Sequence, residues 1–316
     1  MNLAPSSPPR LTVIVPTFER PDLLEGALAS LWAQTYTDFE VLVVDDASGD
    51  DTPRRVAALA SREPRLRYLR LPRNGGPGAA RNAALAEVRS ELVALLDDDD
   101  LAVPERFARQ IALLDARPEI DFVVAAVGWR KMNGEVFYVS PGKIRRGELP
   151  AEPAALFRLL YLDGNYLPTT TLMARRQALA GLYFLEGVRA GEDWFLFLQL
   201  AARGHRLATL PEPLVMMLRE PGHDSLMSRK ERTFAPQRQV LHELRSWLAR
   251  EGLQPFDSLH RAALAQQYLR EARWWGGTRA LLLCLRASLL APGAPRLGET
   301  WRWLGGLVLA KLRRLF

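Results

Sequence analysis

Cysteine is nearly absent from this chain. Cys284 is the only one in 316 residues, so no intrachain disulfide and no cysteine-based zinc site can form. A lone cysteine fits a reducing compartment. Long apolar runs are missing too. No stretch reaches the ~18 residues that a membrane-spanning helix needs, and Arg286 interrupts the longest candidate, Ala280 to Ala291. The Pro- and Ser-rich start, Met1 to Arg10, lacks the apolar core of a secretory leader, so none is expected. There is no internal repeat and no low-complexity tract. What remains is the composition of an ordinary globular protein, 48% hydrophobic and 25% charged. A cytoplasmic location is expected, with room for peripheral attachment to the cytoplasmic face of the membrane.

Charge is unevenly spread. Residues 229 to 316 carry 16 Lys+Arg and 6 Asp+Glu, a net of +10. The whole chain is +6, so residues 1 to 228 carry −4. The basic character therefore belongs to the last quarter, where it suits an anionic membrane surface or simple solvation.

Hydrophobic patterning divides the chain near residue 228. Leu11 to Val15, Phe39 to Val44, Leu66 to Leu71 and Leu92 to Leu96 are short apolar runs that read as strands. Helical patterns lie between them: from Asp22 with Leu24, Leu28, Leu31 and Trp32 on one face, from Thr52, and over Ala79 to Val88. Strands alternating with helices imply a parallel sheet covered on both faces. Ligands of such sheets bind beyond the C-terminal ends of the strands. The exits at Pro16, Asp45-Asp46 and Asp97 to Asp100 are therefore expected to converge on one crevice.

Further on the expected elements are a helix over Pro104 to Ala116 and strands over Phe122 to Val127 and Val136 to Val139, turning at Asn133-Gly134. A helix over Pro153 to Leu162, an extended Leu167 to Met173 and a helix from Gly191 to about Arg203 follow. Leu207 to Leu210 and Leu214 to Leu218 read as two short strands, and from about Ser228 the chain reads as helical.

Four consecutive carboxylates, Asp97 to Asp100, repel one another at a strand's end. A hard divalent cation relieves that repulsion, since such ions take carboxylate oxygens. Capping of the helix after Pro104 would use one of the four, with Asp100 best placed for it. The Gly75-Gly76-Pro77-Gly78 turn leads into a helix N-terminus, a natural anion site, and Arg81 in its first turn suits a phosphate. Glu192-Asp193 opens another helix, where acidic residues favour the macrodipole and Asp193 suits a general base; Trp194 beside it offers a flat face for a sugar ring. Arg219 and His223 follow the Met216-Met217-Leu218 run.

Val15-Pro16-Thr17-Phe18-Glu19-Arg20, Val43-Val44-Asp45-Asp46-Ala47-Ser48, Gly78-Ala79-Ala80-Arg81-Asn82, Leu96-Asp97-Asp98-Asp99-Asp100 and Gly191-Glu192-Asp193-Trp194 together resemble glycosyltransferase family 2 in order and spacing, across roughly residues 10 to 228. The resemblance implies a GT-A fold: α/β and Rossmann-like, with a mostly parallel central sheet flanked by helices. Residues 1–228 would be the catalytic domain, with donor binding mainly in 10–100 and the acceptor side mainly in 101–228. Residues 229–316 would be a basic helical C-terminal extension.

Carried over by position, the resemblance implies that Pro16, Thr17, Phe18 and Glu19 line the nucleotide pocket. Asp46 would hydrogen-bond the nucleobase edge with Asp45 close by, and Arg81 would approach the diphosphate. Asp97 and Asp99 match the D-x-D pair, Asp99 as direct ligand of Mn²⁺ or Mg²⁺, with Asp98 able to share the role of Asp97. His223 falls near the metal. Asp193 is the base, with Glu192 and Trp194 on the acceptor side. Glu19 departs from the family pattern, which usually has Asn there. The implied reaction is inverting transfer from a nucleotide-diphosphate sugar to a hydroxyl on a glycan, lipid-linked or other acceptor, with no nucleic-acid partner.

Two other classes compete. One is a sugar nucleotidyltransferase or phosphotransferase. The nucleotidyltransferase would need a Gly-rich, Lys/Arg-bearing loop after the first strand, where Pro16 to Arg20 has no glycine. A phosphatase with an aspartyl nucleophile would want its D-x-D after the first strand, whereas here it follows about the fourth. A non-catalytic glycan-binding GT-A protein would have lost the metal carboxylates or Asp193, and both are present. In the tail, Trp301, Leu304, Val308, Leu312 and Leu315 share a helical face among Arg302, Lys311, Arg313 and Arg314. That pattern fits a membrane interface, packing on the catalytic domain, or a homodimer contact.

Overall fold

The computed structural model describes residues 8–139, 142–188, 190–219, 234–253, 257–275, 277–291 and 298. In chain order the elements are β1 (Leu11–Thr17), α1 (Pro21–Trp32), β2 (Phe39–Asp45), α2 (Thr52–Ala60), β3 (Leu66–Arg70), α3 (Gly76–Glu87), β4 (Leu92–Leu95), β5 (Leu101–Ala102) and α4 (Arg106–Ala116). They continue with β6 (Phe122–Arg130), β7 (Val136–Val139), α5 (Pro153–Asp163), β8 (Met173–Arg175), α6 (Glu192–Ala202), β9 (Leu207–Leu218), α7 (Phe234–Arg250), α8 (Asp257–Trp275) and α9 (Gly277–Leu290).

By its contacts the chain divides into two compact units. One takes Met1–Leu156, Tyr166–Val188 and Gln199–Asp224; the other takes Phe157–Asn165, Arg189–Leu198 and Ser225–Phe316. This boundary departs from a single cut after residue 228, because Phe157–Asn165 and Arg189–Leu198 go with the helical unit.

The first unit is organised by one sheet of order β3-β2-β1-β4-β8-β6-β9-β5, with β7 added on β6. β1 pairs in parallel with both β2 and β4, and β2 with β3. Every residue of β1 is buried, as expected of a β-branched strand covered on both faces. On α1, Leu24, Ala27, Leu28 and Leu31 form the buried stripe, at helical spacing. Phe39 stacks on Trp32 and meets Phe107 of α4 edge-on, closing the core on that side. The order 3-2-1-4 reverses direction between β1 and β4, and that reversal opens a crevice at their C-terminal ends.

Beyond β4 the pairing is mixed, antiparallel to β8 and between β8 and β6, then parallel between β6 and β9. Three local expectations are corrected here. Leu207–Leu218 is one strand, not two; its register against β6 slips between Ala125 and Val127, so Pro211 and Pro213 sit where the ladder is interrupted. The stretch before β8 is a 3-10 turn over Thr169–Thr171 rather than extended chain. The helix expected from Pro104 begins at Arg106, after the two-residue β5.

The second unit packs Ala265, Leu269 and Ala272 of α8 against Ala280, Leu283, Cys284 and Ala287 of α9. The tail face expected around Trp301 to Leu315 lies outside the described residues. Among the described residues no helix is long and apolar enough to cross a membrane. Within this unit His260 of α8 is buried, its Nδ1 2.8 Å from the Tyr161 hydroxyl. Burial, with help from His242 and Arg245, pulls its pKa down to about 4, and Asp257 opposes them.

Such a group binds a proton more readily in the unfolded chain. Its contribution to stability is therefore complete above pH ~6.5 and is lost as the pH falls toward 4. Urea unfolding is expected to show a loss of roughly 2–3 kcal/mol from this group between pH 7 and 4.5. His260→Gln should flatten that part of the profile; an unchanged slope would show that the acid sensitivity arises elsewhere.

Candidate active site

The crevice at the β1/β4 reversal holds the four aspartates, and their surroundings differ sharply. Asp98 is buried and accepts a 2.8 Å hydrogen bond from the Thr17 hydroxyl at the end of β1. Burial pushes its carboxyl up to about 7, against the pull of Arg20. Asp100 is buried still more deeply, and burial holds its carboxyl well above the usual range despite hydrogen bonds from Thr170 and the Leu218 amide. It does not cap α4, whose N-cap is Glu105 with no side-chain cap bond. A packed interior has no room for the swing toward the helix that capping would need. Asp97 and Asp99 are the more exposed pair.

Four arginines neutralise this quartet. Arg81 Nη2 donates to Asp97 Oδ1 at 2.7 Å, and its guanidinium lies over the Phe184 ring. Arg20 Nη1 lies 3.5 Å from Asp98 Oδ1 and 3.3 Å from Asp99 Oδ2. Arg130 donates to the Asp99 carbonyl at 3.0 Å. Arg106, wholly buried, donates to the carbonyls of Leu95 at 2.7 Å and Leu172 at 3.4 Å and to Gln110 Oε1 at 3.1 Å. Burial lowers its pKa, while Asp100 and Asp97 raise it. Arg81 is thus a buried partner of Asp97, with one guanidinium nitrogen on that carboxylate.

The β2 exit is likewise turned inward. Asp45 is fully buried under the Tyr68 hydroxyl, 2.6 Å away, and accepts from the Ser48 amide at 2.8 Å. Both oxygens of Asp46 accept backbone N–H bonds, from Gly75 and Gly76, at 2.7 Å each. Burial raises the Asp46 pKa, and those two bonds oppose the rise. The expectation of an open anion site at the N-terminus of α3 is corrected, since Asp46 is the anion there. The turn admits this because Gly76 sits at φ +82 and a Cβ on Gly75 would lie 2.7 Å from that of Ala79.

Pro16 is buried in β1, whereas Phe18 just beyond it is 39% exposed and presents a ring to solvent. Glu19 and Ala47 adopt left-handed backbone at φ 53 and 63, conformations that cluster at functional sites. The preference of that region for Asn gives a physical reason for the family pattern from which Glu19 departs. Glu19 is held by its amide on Ser48 Oγ at 2.9 Å and by the Gly49 amide on its carboxylate at 3.3 Å.

In the second unit, Gly191 turns at φ +94, and α6 begins with Glu192 and Asp193. Asp193 Oδ2 accepts from Asn165 Nδ2 at 3.0 Å, and Oδ1 from the Trp194 amide at 2.6 Å. Trp194 is 1% exposed with its indole N–H on the Leu160 carbonyl at 3.0 Å, so the expected sugar-stacking face is corrected to a core position. The run Trp194-Phe195-Leu196-Phe197 is buried throughout, and Glu192 is buried beside it. Arg219 lies over the Trp129 ring, and His223 falls outside the described residues.

Among the described residues no three Asp, Glu, His or Cys side chains are grouped to hold an ion unaided. The donor set nevertheless fits a hard cation of another kind. Asp97 and Asp99 supply two accessible carboxylates, and Asp100 Oδ2 is a buried oxygen without a hydrogen-bond partner. Mg²⁺-like sites are commonly completed by substrate phosphates on one or two carboxylates.

The family model for glycosyl transferase family 2 matches residues 12–180. The succinoglycan biosynthesis protein ExoO of Rhizobium meliloti is 35% identical over 213 residues, 64% of this chain and 59% of that protein. The amylovoran biosynthesis glycosyltransferase AmsE of Erwinia amylovora is 26% identical over 234 residues, 74% of this chain and 84% of its own. This chain thus spans less than two thirds of the length of ExoO. Among solved structures, S. aureus TarS 1–349 in complex with UDP-GlcNAc aligns with TM-score 0.65 at 21% identity, over 93% of this chain and 88% of that one. The mannosyltransferase PcManGT of Pyrobaculum calidifontis, in complex with GDP-Man and Mn²⁺, aligns with TM-score 0.55 at 22% identity, over 99% and 88%.

Proposed function

Because this chain belongs to glycosyltransferase family 2, we propose that it moves a sugar from a nucleoside-diphosphate donor to an acceptor hydroxyl in polysaccharide synthesis. The observation that carries the reading is the convergence of Thr17 and the Asp97 to Asp100 carboxylates at the β1/β4 reversal, with Phe18 exposed beside them. The similarity to ExoO, a succinoglycan biosynthesis protein, and to AmsE, an amylovoran biosynthesis glycosyltransferase, supports a polysaccharide product. On this reading the donor side lies mainly in residues 10–100 and the acceptor side mainly in 101–228. Phe18 offers the flat apolar surface against which a nucleobase packs. Asp97 and Asp99 would hold Mn²⁺ or Mg²⁺, which when bound offsets negative charge on the departing diphosphate.

Asp193 is the general base. Asn165 and the Trp194 amide fix its carboxylate, which takes the acceptor hydroxyl proton as that oxygen bonds the anomeric carbon. The bond to the diphosphate oxygen breaks in the same step, and the anomeric configuration inverts. A panel of nucleotide sugars, read by thermal shift with and without Mn²⁺, is expected to give one donor whose stabilisation needs the metal. Asp99→Ala should remove that metal-dependent increment, and no stabilisation by any donor in either condition would overturn the transferase reading.

Peripheral membrane attachment is part of the same proposal. Leu281, Leu282, Leu285 and Leu289 form an exposed stripe on α9, opposite the packed Ala280, Leu283 and Ala287. The surrounding segment is the strongly basic one, the combination that suits an anionic bilayer. Full-length protein is expected to sediment with phosphatidylglycerol vesicles in a salt-sensitive manner, and Leu282→Ser/Leu289→Ser to weaken this. Unchanged sedimentation of that variant would exclude the α9 face.

A further inference from the structure

The first unit carries a cavity that the chemistry described above leaves unused. Its volume is about 50 Å³, room for a group of a few heavy atoms. It lies between β6, the turn at 143–147 and the segment leading to Thr169. Val127, Ile144 and Pro168 give it apolar walls, while Lys143, Arg145 and Tyr166 supply its polar atoms. Two bonds set it beside the aspartates. Arg130, further along β6 from Val127, donates to the Asp99 carbonyl at 3.0 Å. Just after Pro168, the Thr170 hydroxyl accepts from the Asp97 amide at 3.2 Å.

The cations of this cavity are held by a rigid turn but are themselves little engaged. The Gly147 amide donates to the Ile144 carbonyl at 3.1 Å and the Glu148 amide to the Lys143 carbonyl at 2.9 Å. Gly147 makes the tight return at φ +64, and Ile144 anchors the turn as a buried side chain. Glu148 is taken by the fork of Arg146, whose Nη2 lies 2.9 Å from Oε2. Lys143 Nζ stands 3.6 Å from that carboxylate, too far for a hydrogen bond, and lies over the Tyr166 ring at 5.2 Å. Arg145 is exposed and meets no partner among the described residues. Lys143, Arg145 and Arg146 against Glu148 leave the turn at +2, within a stretch, 1–228, whose net charge is −4.

We propose that this cavity is an acceptor subsite for an anionic group, a carboxylate or a phosphate carried by the sugar that receives the transfer. The inference rests on the transferase reading above and adds the charge of the acceptor, which none of the sequence motifs specifies. A small anion matches an apolar-walled notch with a free guanidinium and a lightly held ammonium. Arg145 takes two of its oxygens by the fork, and Lys143 adds a point charge. A neutral hydroxyl would leave both cations uncompensated. Fixing the charged end of the acceptor beside the crevice makes it a handle that sets which hydroxyl is presented for transfer.

The test uses the full chain in EDTA, without donor or metal, and follows D-glucuronate, D-glucose 6-phosphate and D-glucose by ligand-observed NMR titration. At least one of the two anionic sugars is expected to bind about tenfold more tightly than glucose, the scale of one or two charge-assisted hydrogen bonds. That margin should shrink as salt is raised, because the cations are open to solvent. Binding of glucuronate alone identifies a carboxylate, of glucose 6-phosphate alone a phosphate, and of both the shared anion site. Arg145→Gln should remove most of the margin and Lys143→Gln/Arg145→Gln all of it, with melting temperatures near wild type. Arg145→Lys keeps the charge without the fork and should retain part of it. Equal affinity for the three sugars in wild type, or a margin that survives in the double variant, overturns the subsite. Either result leaves the transferase reading standing, since it is the donor panel with Mn²⁺ that decides that reading.

Discussion

Asp193→Asn is expected to lower kcat by roughly 10²–10⁴-fold, the range that general bases contribute, while the metal-dependent thermal shift with the donor stays near wild type. The two readouts separate because the substitution keeps the size of the side chain and one of its two hydrogen bonds. An amide oxygen at Oδ1 still accepts from the Trp194 amide, so the first turn of α6 keeps its closure. The Asn165 amide at Oδ2, however, would face another N–H₂ donor across 3.0 Å. Asn165→Asp probes the same geometry in the other direction. Two carboxylates at that separation disfavour joint ionisation, so the acidic limb of the pH–rate profile should move to higher pH. Activity within a few-fold of wild type in Asp193→Asn would remove this residue from the chemistry.

Arg106→Met is expected to give the largest loss of stability, about 3–5 kcal/mol by denaturant unfolding, because breaking one side of a buried charge arrangement strands the other. The volume is nearly kept, so a cavity is not the main cause. Asp100 would keep its Thr170 and Leu218 bonds but lose a compensating charge, and the Leu95 carbonyl would lose the donor that ties α4 to the end of β4. Arg106→Lys should recover only part of the loss, since one ammonium cannot reach Leu95, Leu172 and Gln110 together. A loss below ~1 kcal/mol would show that the charges at the strand ends relax independently.

The sheet and its crevice were legible in the sequence because their signals are local. Continuous β-branched runs ended by Pro16, Asp45 and Asp97 gave the strands, and alternation with helices gave the parallel order. The partners of the carboxylates were not legible. Arg20 meets Asp98 across 78 positions and Arg81 meets Asp97 across 16, and no periodicity says which arginine turns inward. The place of Trp194 is not legible for a related reason: a run apolar on every side has no face, so its sequence cannot say whether an aromatic ring lines a cleft or fills a core. Glycines 75 and 76 announced a tight turn over an anion correctly, but the anion came from Asp46, 29 and 30 residues earlier. The sequence of β9 reads as two strands around Pro211 and Pro213 because the slip against β6 that accommodates them is a property of the pair of strands.

The arginines around the crevice have a consequence for the life of the molecule outside catalysis. A newly made chain carries within itself the charge needed to bring four aspartates to one point, so folding need not wait for an ion from the cell. On the metal-dependent reading proposed above, starvation for manganese or magnesium, or treatment with a chelator, would then leave an intact protein that waits for the ion and is not committed to degradation.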